Sequence, residues 1–428
     1  MTRLSVFPLG RRTARHLALV SLLAVCPAQG APASIPLAPA AEQRVNSHLE
    51  HDQQNPVLAC NRAGNCVVAW ESAGQDGSLS GVYAQRYAAD GSPVGTEFRV
   101  NPETTNHQFG PNVAVGADGG FAIAWASNAQ SGPGIDLRAR RYAADGGTLG
   151  APFRINDSGR DVAPRMAIAL DATGDLLAVW TETIPAVIGS RKVSSLVYQR
   201  FDLNGTPVGE QKTLGRSLLK NIRRPALAVG DDPADGFVVV VHDDAPGGLI
   251  FGDIELGTGV YARRYTLDGR ARDLLPQRVD PAGSDVVTDR PAITALPGGG
   301  FAVAWHRRDA NSLRPAGVAA RAYDGRGKPY ADAFTVGDAG LQRDASVTAL
   351  SDGSLLIAAQ GAGIGARRYS TTGIPLGPPL RIDTRTLPDT ELVPQVAALP
   401  GGEVLAVWQS FDRADDGARD IYARRLAP

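Results

Sequence analysis

The 428-residue chain is 43% hydrophobic and 20% charged, a globular rather than a disordered balance. Its formal net charge of -1 supplies no global basic field to gather nucleic acid or an anionic membrane surface. With 49 Gly, 30 Pro and no sustained helical periodicity beyond the first 40 positions, it reads as short strands joined by turns, which excludes a helical protein.

The chain opens on an address. Arg3, Arg11, Arg12 and Arg15 precede an apolar run from Leu17 to Val25, and small residues follow at Ala28, Gly30, Ala31 and Ala33. A basic region, a short apolar core and an A-x-A-like site predict a secretory signal peptide over residues 1–33, cleaved before Ala31 or before Ser34. The expected location is secreted or periplasmic, with no transmembrane span. Leu23-Ala24-Val25-Cys26 also has the look of a lipobox with Cys26 as the acylated residue, although Val25 occupies a place where a small residue is preferred. Beyond the signal, Cys60 and Cys66 flank a predicted hairpin tip, and an even count in an exported chain suggests a disulfide. Two small apolar residues are the alternative, since the next repeat carries Val115 and Phe121 there.

Residues 34–428 repeat one unit seven times. Its four segments are typified by Phe98 to Asn101, by a run beginning at Pro111, by Phe121 to Trp125 after an Asp-Gly turn, and by Val260 to Tyr265 before another Asp-Gly turn. The proline position is filled by Pro56, Pro111, Pro164, Pro225, Pro291 and Pro394, with Ala345 in the remaining copy. Segments of four to six alternating residues between Gly, Pro, Asp and Asn are strand signals, and the Asp-Gly pairs are hairpin signals. The Trp-equivalent positions, Trp70, Trp125, Trp180, Val241, Trp305, Ala359 and Trp408, lie 49 to 64 residues apart. Four strands at that period predict an all-β, seven-bladed β-propeller of four-stranded blades. The chain begins on the first segment, Gln43 to Asn46, and stops on the fourth, Ile421 to Leu426, so the N-terminal strand is expected to complete the last blade and close the ring.

The pattern P-x-V-A, D-G-G-F-x-V-A-W, Y-A-R-R-Y-x-x-D-G and F-x-V-N resembles propeller-type repeats of secreted bacterial surface proteins, the haemolysin-type and adhesin-like chains. The resemblance covers residues 43 to 428 and implies an exported propeller rather than an activity. The Gly-Gly-x-Gly-x-Asp runs that bind calcium in such proteins are absent, so that function does not carry over.

Repetition separates scaffold from site. The Trp, and the Arg that recurs as Arg86, Arg141, Arg200, Arg264, Arg368 and Arg425, are expected to pack and to bond turns, because a ligand site needs different groups from different blades. Function is expected where blades differ, in the variable loops after the Trp position and before the proline. There His242 and His306 follow the Trp position of two adjacent units, Arg224 and Arg290 precede the proline, and Arg307 lies beside His306. This set predicts a site for an acidic glycan or a protein, with Arg giving paired donors to a carboxylate or sulfate and His able to donate or to act as a base. The runner-up is a polysaccharide lyase or hydrolase using the same cluster, and a structural envelope protein is third. The acidic run Asp412 to Asp416 and the His48/His51 pair are weak metal candidates, no nucleophile motif is present, and no cofactor is expected. The expected state is a monomer.

Overall fold

Phe121–Asn128 carries almost no alternation: Phe121, Ala122, Ile123, Ala124 and Trp125 are all at most 1% exposed. A strand covered on only one face alternates apolar and polar residues, whereas one covered on both faces reads as a continuous apolar run. The third sequence segment is therefore a strand sandwiched between two neighbouring sheets. Phe121, Ile123 and Trp125 pack against Val67, Ala69, Val82 and Ala84 of the preceding repeat, and Ala122 and Ala124 against Met166, Ala178 and Trp180 of the following one.

A computed structural model describes residues 38–128, 134–157, 161–185, 192–217, 222–243, 249–251, 254–256, 258–281, 286–337, 341–384, 392–411 and 418–427. The predicted signal peptide, Cys26 and the acidic run from Asp412 lie outside them. The strands form a seven-bladed β-propeller of antiparallel four-stranded blades. Blade 1 runs Gln53–Cys60, Cys66–Ala73, Ser80–Tyr87 and Pro93–Arg99 from the axis outward. The inner strands of blades 2 to 7 are Gln108–Val115, Asp161–Leu170, Ile222–Val229, Val286–Leu296, Arg343–Ala349 and Gln395–Ala398. Each contacts the next around the axis, blade 7 to blade 1 included. A hairpin from blade 4, Leu249–Phe251 with Ile254–Leu256, adds to the outer edge of blade 3 and makes that sheet six-stranded.

The ring closes as the sequence predicts. Gln43 and Arg44 pair with Ala423 and Tyr422 of the third strand of blade 7, and Ala38–Pro39 pairs farther along it. The Asn that ends the repeat explains its own recurrence: Asn101 Oδ1 accepts from Val82 N at 2.7 Å, Asn156 Oδ1 from Leu137 N at 2.7 Å, and Asp383 Oδ1 from Ile364 N at 2.7 Å. At the closure Asn46 Oδ1 accepts from Ile421 N at 2.8 Å, so the joint reuses a bond found inside other blades.

Of the recurrent Arg side chains, Arg200 and Arg368 pair within their own blades, with Asp171 and Asp352, and others tie blade to blade. Arg86 donates to the Ala144 carbonyl at 3.0 Å, Arg141 to that of Gly174 at 2.7 Å, and Arg425 crosses the closure to that of Asp90 at 3.1 Å. The five Trp side chains are at most 2% exposed and belong to the core. Cys60 and Cys66 form a disulfide at the tip of the first hairpin of blade 1. From that tip Arg62 pairs with Asp231 of blade 4, across the ring on the face that carries the tight turns. The opposite face carries the variable loops.

Asn46→Ala should destabilise the protein by about 2 kcal/mol, the cost of unpairing a buried donor, at least as much as Asn101→Ala. Chemical denaturation measures both; an unchanged midpoint for Asn46→Ala would mean that the N-terminal strand does not hold the ring shut.

Candidate functional site

Every described inner strand except the short one of blade 7 slips register near its loop-face end. In blade 5 Asp289 faces His306 and Ala292 faces Ala304, so three steps on the inner strand match two on its partner. The extra residue is a β-bulge. The residue before the proline position takes a left-handed backbone there: φ is 54° at Asn55, 60° at Gly110, 51° at Arg224, 50° at Arg290, 53° at Asp344 and 44° at Val393. For a residue with a Cβ this conformation costs roughly 1 kcal/mol. The repeated bulge sets these residues in a ring at the loop-face mouth, and Arg290 of blade 5 pairs there with Asp344 of blade 6.

Blade 3 departs from this register. Val162 faces Glu182 and Met166 faces Trp180, so four steps match two and the bulge holds two extra residues. Met166, rather than Pro164, therefore occupies the place of the other prolines. The bulge presents Arg165 to solvent, in electrostatic range of both Glu71 of blade 1 and Arg224 of blade 4. Sequence reading passed over Arg165: Pro164 lies 16 residues before Trp180, against 14 from Pro111 to Trp125, but Pro225 also lies 16 before Val241 in a blade with an ordinary bulge, so spacing does not reveal the register.

The residue after the Trp position is a clasp in three blades. Glu71 Oε1 accepts from Gly110 N of the next blade at 2.7 Å, Gln409 Oε1 from Asn55 N at 2.6 Å, and Gln360 Oε1 from Leu392 N at 2.8 Å. Burial pushes the Glu71 carboxyl above its usual range, while the Gly110 N–H, Asn55, Gln54 and Arg165 oppose it.

His242 and His306 hold this same position in blades 4 and 5. His242 is 2% exposed, and its Nδ1 lies 3.4 Å from Oδ1 of Asp289 in the next blade, an electrostatic contact rather than a hydrogen-bonded clasp. Asp289 Oδ1 also accepts from Arg290 N at 2.7 Å, and Oδ2 lies 3.3 Å from Arg308. Burial alone would push the Asp289 carboxyl up, but His242, the Arg290 N–H, Arg224 and Arg308 together hold it below the usual carboxylate range. His306 makes no clasp. It is 5% exposed, and neither ring nitrogen has a hydrogen-bond partner among the described residues. Burial pushes its pKa down to about 4; Arg290, Arg308 and Arg343 act in the same direction against Asp289, so the ring is neutral at pH 7.

Arg224 is half-buried and makes no ion pair among the described residues. Burial, then the Arg165 and Arg290 charges, push its pKa down to about 10, with Asp289 and Asp344 opposing. Arg224 and His306 thus share Asp289 and Arg290 as neighbours, and the structure brings together four of the residues singled out from sequence: Arg224, His242, Arg290 and His306. Arg307 lies on the other side of its strand, where Nη2 donates to the Ala316 carbonyl at 3.2 Å and approaches Thr335. The members that sequence did not single out are Arg165, Asp289, Arg308, Arg343 and Asp344. Among the described residues no three His, Cys, Asp or Glu side chains gather as metal ligands, and no helix is long and apolar enough to cross a membrane.

His306 sets an acid limit on stability. Its folded pKa of about 4 lies below the ordinary 6.5, so the contribution present above pH 6.5 is lost as pH falls toward 4. The loss is on the order of 3 kcal/mol. Unfolding free energy followed from pH 7 to 4 should fall less steeply in His306→Gln than in the parent; parallel curves would show that the imidazole is not buried neutral.

No protein-family model matches the chain, and no curated protein sequence matches it. Among solved structures it is similar to an ulvan lyase, a polysaccharide lyase bound to -[GlcA(1-4)Rha3S]-, with TM-score 0.53 and 13% identity over 89% of this chain and 95% of that one. It is also similar to a protein of unknown function from Dyadobacter fermentans, with TM-score 0.52 and 14% identity over 92% and 99%. An α-L-arabinanase from Penicillium chrysogenum complexed with arabinobiose has TM-score 0.50 and 10% identity over 74% and 92%. At these identities the likeness is one of fold.

Proposed function

We propose that this chain is an exported propeller that recognises an acidic saccharide at its loop-face mouth, through Arg224, Arg290 and His306. The observation that carries the reading is Arg224, a half-buried guanidinium without an ion-pair partner among the described residues, on a left-handed backbone and depressed by burial and then by the like charges beside it. An anion placed there relieves the repulsion, and a guanidinium offers carboxylate or sulfate two parallel donors. His306, neutral and with both nitrogens unpartnered among the described residues, can donate one bond and accept another, which suits a sugar hydroxyl beside the charged group. A structurally similar propeller bound to a glucuronate and sulfated rhamnose unit supports this choice of ligand class. Export follows the N-terminal address, the resemblance to surface-protein repeats and the Cys60–Cys66 disulfide. The site needs no cofactor.

His306 also favours a second reading, eliminative cleavage of a uronate chain. With the carboxylate held by guanidiniums, the neutral imidazole takes the proton from the carbon alpha to it. That electron pair forms the new C4=C5 double bond as the C4–O bond breaks, and the departing oxygen takes a proton from solvent. Absorbance of the double bond on incubation with uronate polymers, lost in His306→Gln while binding persists, would establish it; no absorbance with the parent would leave binding alone.

Arg224→Gly is the sharper test of recognition, because glycine accepts φ of 51° without strain and keeps the fold. Calorimetry should show affinity for uronate or sulfated oligosaccharides falling tenfold or more, about the worth of one charge-assisted pair, with the melting temperature unchanged or raised. Equal affinity in the parent and Arg224→Gly would sink the reading.

A further inference from the structure

We infer that blade 6 carries a second ligand site, apart from the loop-face mouth, which takes the ring of a small phenolic molecule in the place where blade 4 holds its own Tyr261.

The repeat shows what blade 6 lacks. Across the sheet from the Trp position stand Tyr83, Arg138, Val197, Tyr261, Ala319 and Tyr422 in the other blades. In blade 6 the Trp position is Ala359, and the residue facing it is Gly365. Blades 1 and 7 bury two large side chains at this level, Trp70 with Tyr83 and Trp408 with Tyr422, and blade 6 has neither. Leu341, on the link from blade 5, packs against the cluster that holds Ala359, yet a cavity of about 380 Å³ remains. Gly365 lines it together with the apolar Leu341, Ala366, Pro379 and Leu380. Packed protein rarely leaves a gap of this size, which lies in the range of small-molecule sites, and apolar walls suit a ring better than water. The cavity shares no residue with the Arg224 and His306 cluster.

The frame for an aromatic ring is complete all the same. In blade 4 Arg278 of the outer strand faces Tyr261, its Cζ 6.0 Å from the ring centroid, and Asp280 holds that arginine at 3.2 Å. Arg99 faces Tyr83, and Arg44 faces Tyr422, in the same register. In blade 6 Arg381 faces Gly365, and Asp383 holds it at 3.3 Å. Each Asp has the same second role, accepting from Val260 N at 2.9 Å in blade 4 and from Ile364 N at 2.7 Å in blade 6. The preceding glycine is shared too, since a Cβ on Gly259 would meet Arg278 Nη2 and one on Gly363 would meet Arg381 Nη2. Blade 6 thus keeps the arginine, the carboxylate that aims it and the glycine that makes room for it, without the ring. A ring seated against Gly365 meets the face of a guanidinium already held in place. In blade 1 Arg99 also hydrogen-bonds the Tyr83 hydroxyl, which makes a phenol the fitting ring. The volume admits one ring and its substituents, which commits the site to a small molecule.

The test titrates the full chain by calorimetry with p-cresol, the tyrosine side chain as a free molecule, and with 4-methylcyclohexanol, its saturated counterpart. p-Cresol should bind about threefold tighter than 4-methylcyclohexanol, because only an aromatic ring offers a face to Arg381. Gly365→Tyr should abolish p-cresol binding; it is combined with Leu341→Ala, because a Cβ at Gly365 would lie 2.7 Å from Leu341 Cδ2. Arg381→Lys keeps a charge beside Asp383 without the planar face, and should bring the two affinities together. Arg381 is exposed, so this variant gives an answer even where the filled one fails to fold. Arg224→Gly should bind p-cresol like the parent. A parent that does not bind p-cresol, a filled variant that binds it equally well, or binding lost in Arg224→Gly overturns the second site. Equal affinity of the parent for both probes, or a preference that survives Arg381→Lys, overturns the assignment of an aromatic ring to it.

Discussion

The second strand of each blade has no solvent face. Its continuous apolar run, ending at Trp70, Trp125, Trp180, Trp305 or Trp408, is buried only if another blade covers each side. One repeat alone would leave such a strand exposed on both faces, so no blade is stable without its neighbours, and an open row would fail at both ends. Closure is the condition on which the rest depends. The chain meets it by splitting one blade between its termini, and the Asn46 to Ile421 bond makes that joint equivalent to the bonds inside the other blades.

A closed ring with short tight turns on one face leaves the other face as the place for variation. On the turn face, Arg86, Arg141 and Arg425 are consumed by carbonyls of neighbouring turns, Arg200 and Arg368 by carboxylates of their own blades, and Arg62 and Asp231 join tips across the axis. The loop face has the same economy of bonds at its clasp positions, where Glu71, Gln360 and Gln409 satisfy backbone N–H groups of the next blade. His306 stands in that row and does not clasp. A polar side chain withdrawn from a bond that three of its equivalents make, and buried all the same, is a cost that packing does not explain.

The sequence carried the fold almost completely, because blade number, strand order and closure follow from periodicity and from which segment stands at each end. The disulfide was legible too, from two cysteines at one hairpin tip. At the site, sequence singled out Arg224, His242, Arg290 and His306 because they break the repeat. It passed over Asp289 and Asp344, since an acidic residue in a loop-facing strand is unremarkable until its partners are known. Arg307 and Arg308 could not be told apart by type, only by which side of the strand each takes: Arg308 meets Asp289, whereas Arg307 meets Ala316 on the other side. Arg165 was hidden for a different reason. Aligning the prolines assumed equal bulges, and blade 3 has one residue more.

The left-handed residues add backbone strain to the electrostatic argument at the loop-face mouth. The bulge asks for a residue that tolerates positive φ, and blade 2 supplies the unstrained solution, Gly110. Asn55 is among the better-tolerated alternatives. Blades 4 and 5 instead place arginine there, and Arg224 gains no ion pair among the described residues in exchange. Backbone strain, like-charge repulsion and partial burial therefore act together against Arg224, each of them removable by the glycine that blade 2 already uses. A residue disfavoured on three counts at once is the ground on which an anionic ligand is proposed for Arg224.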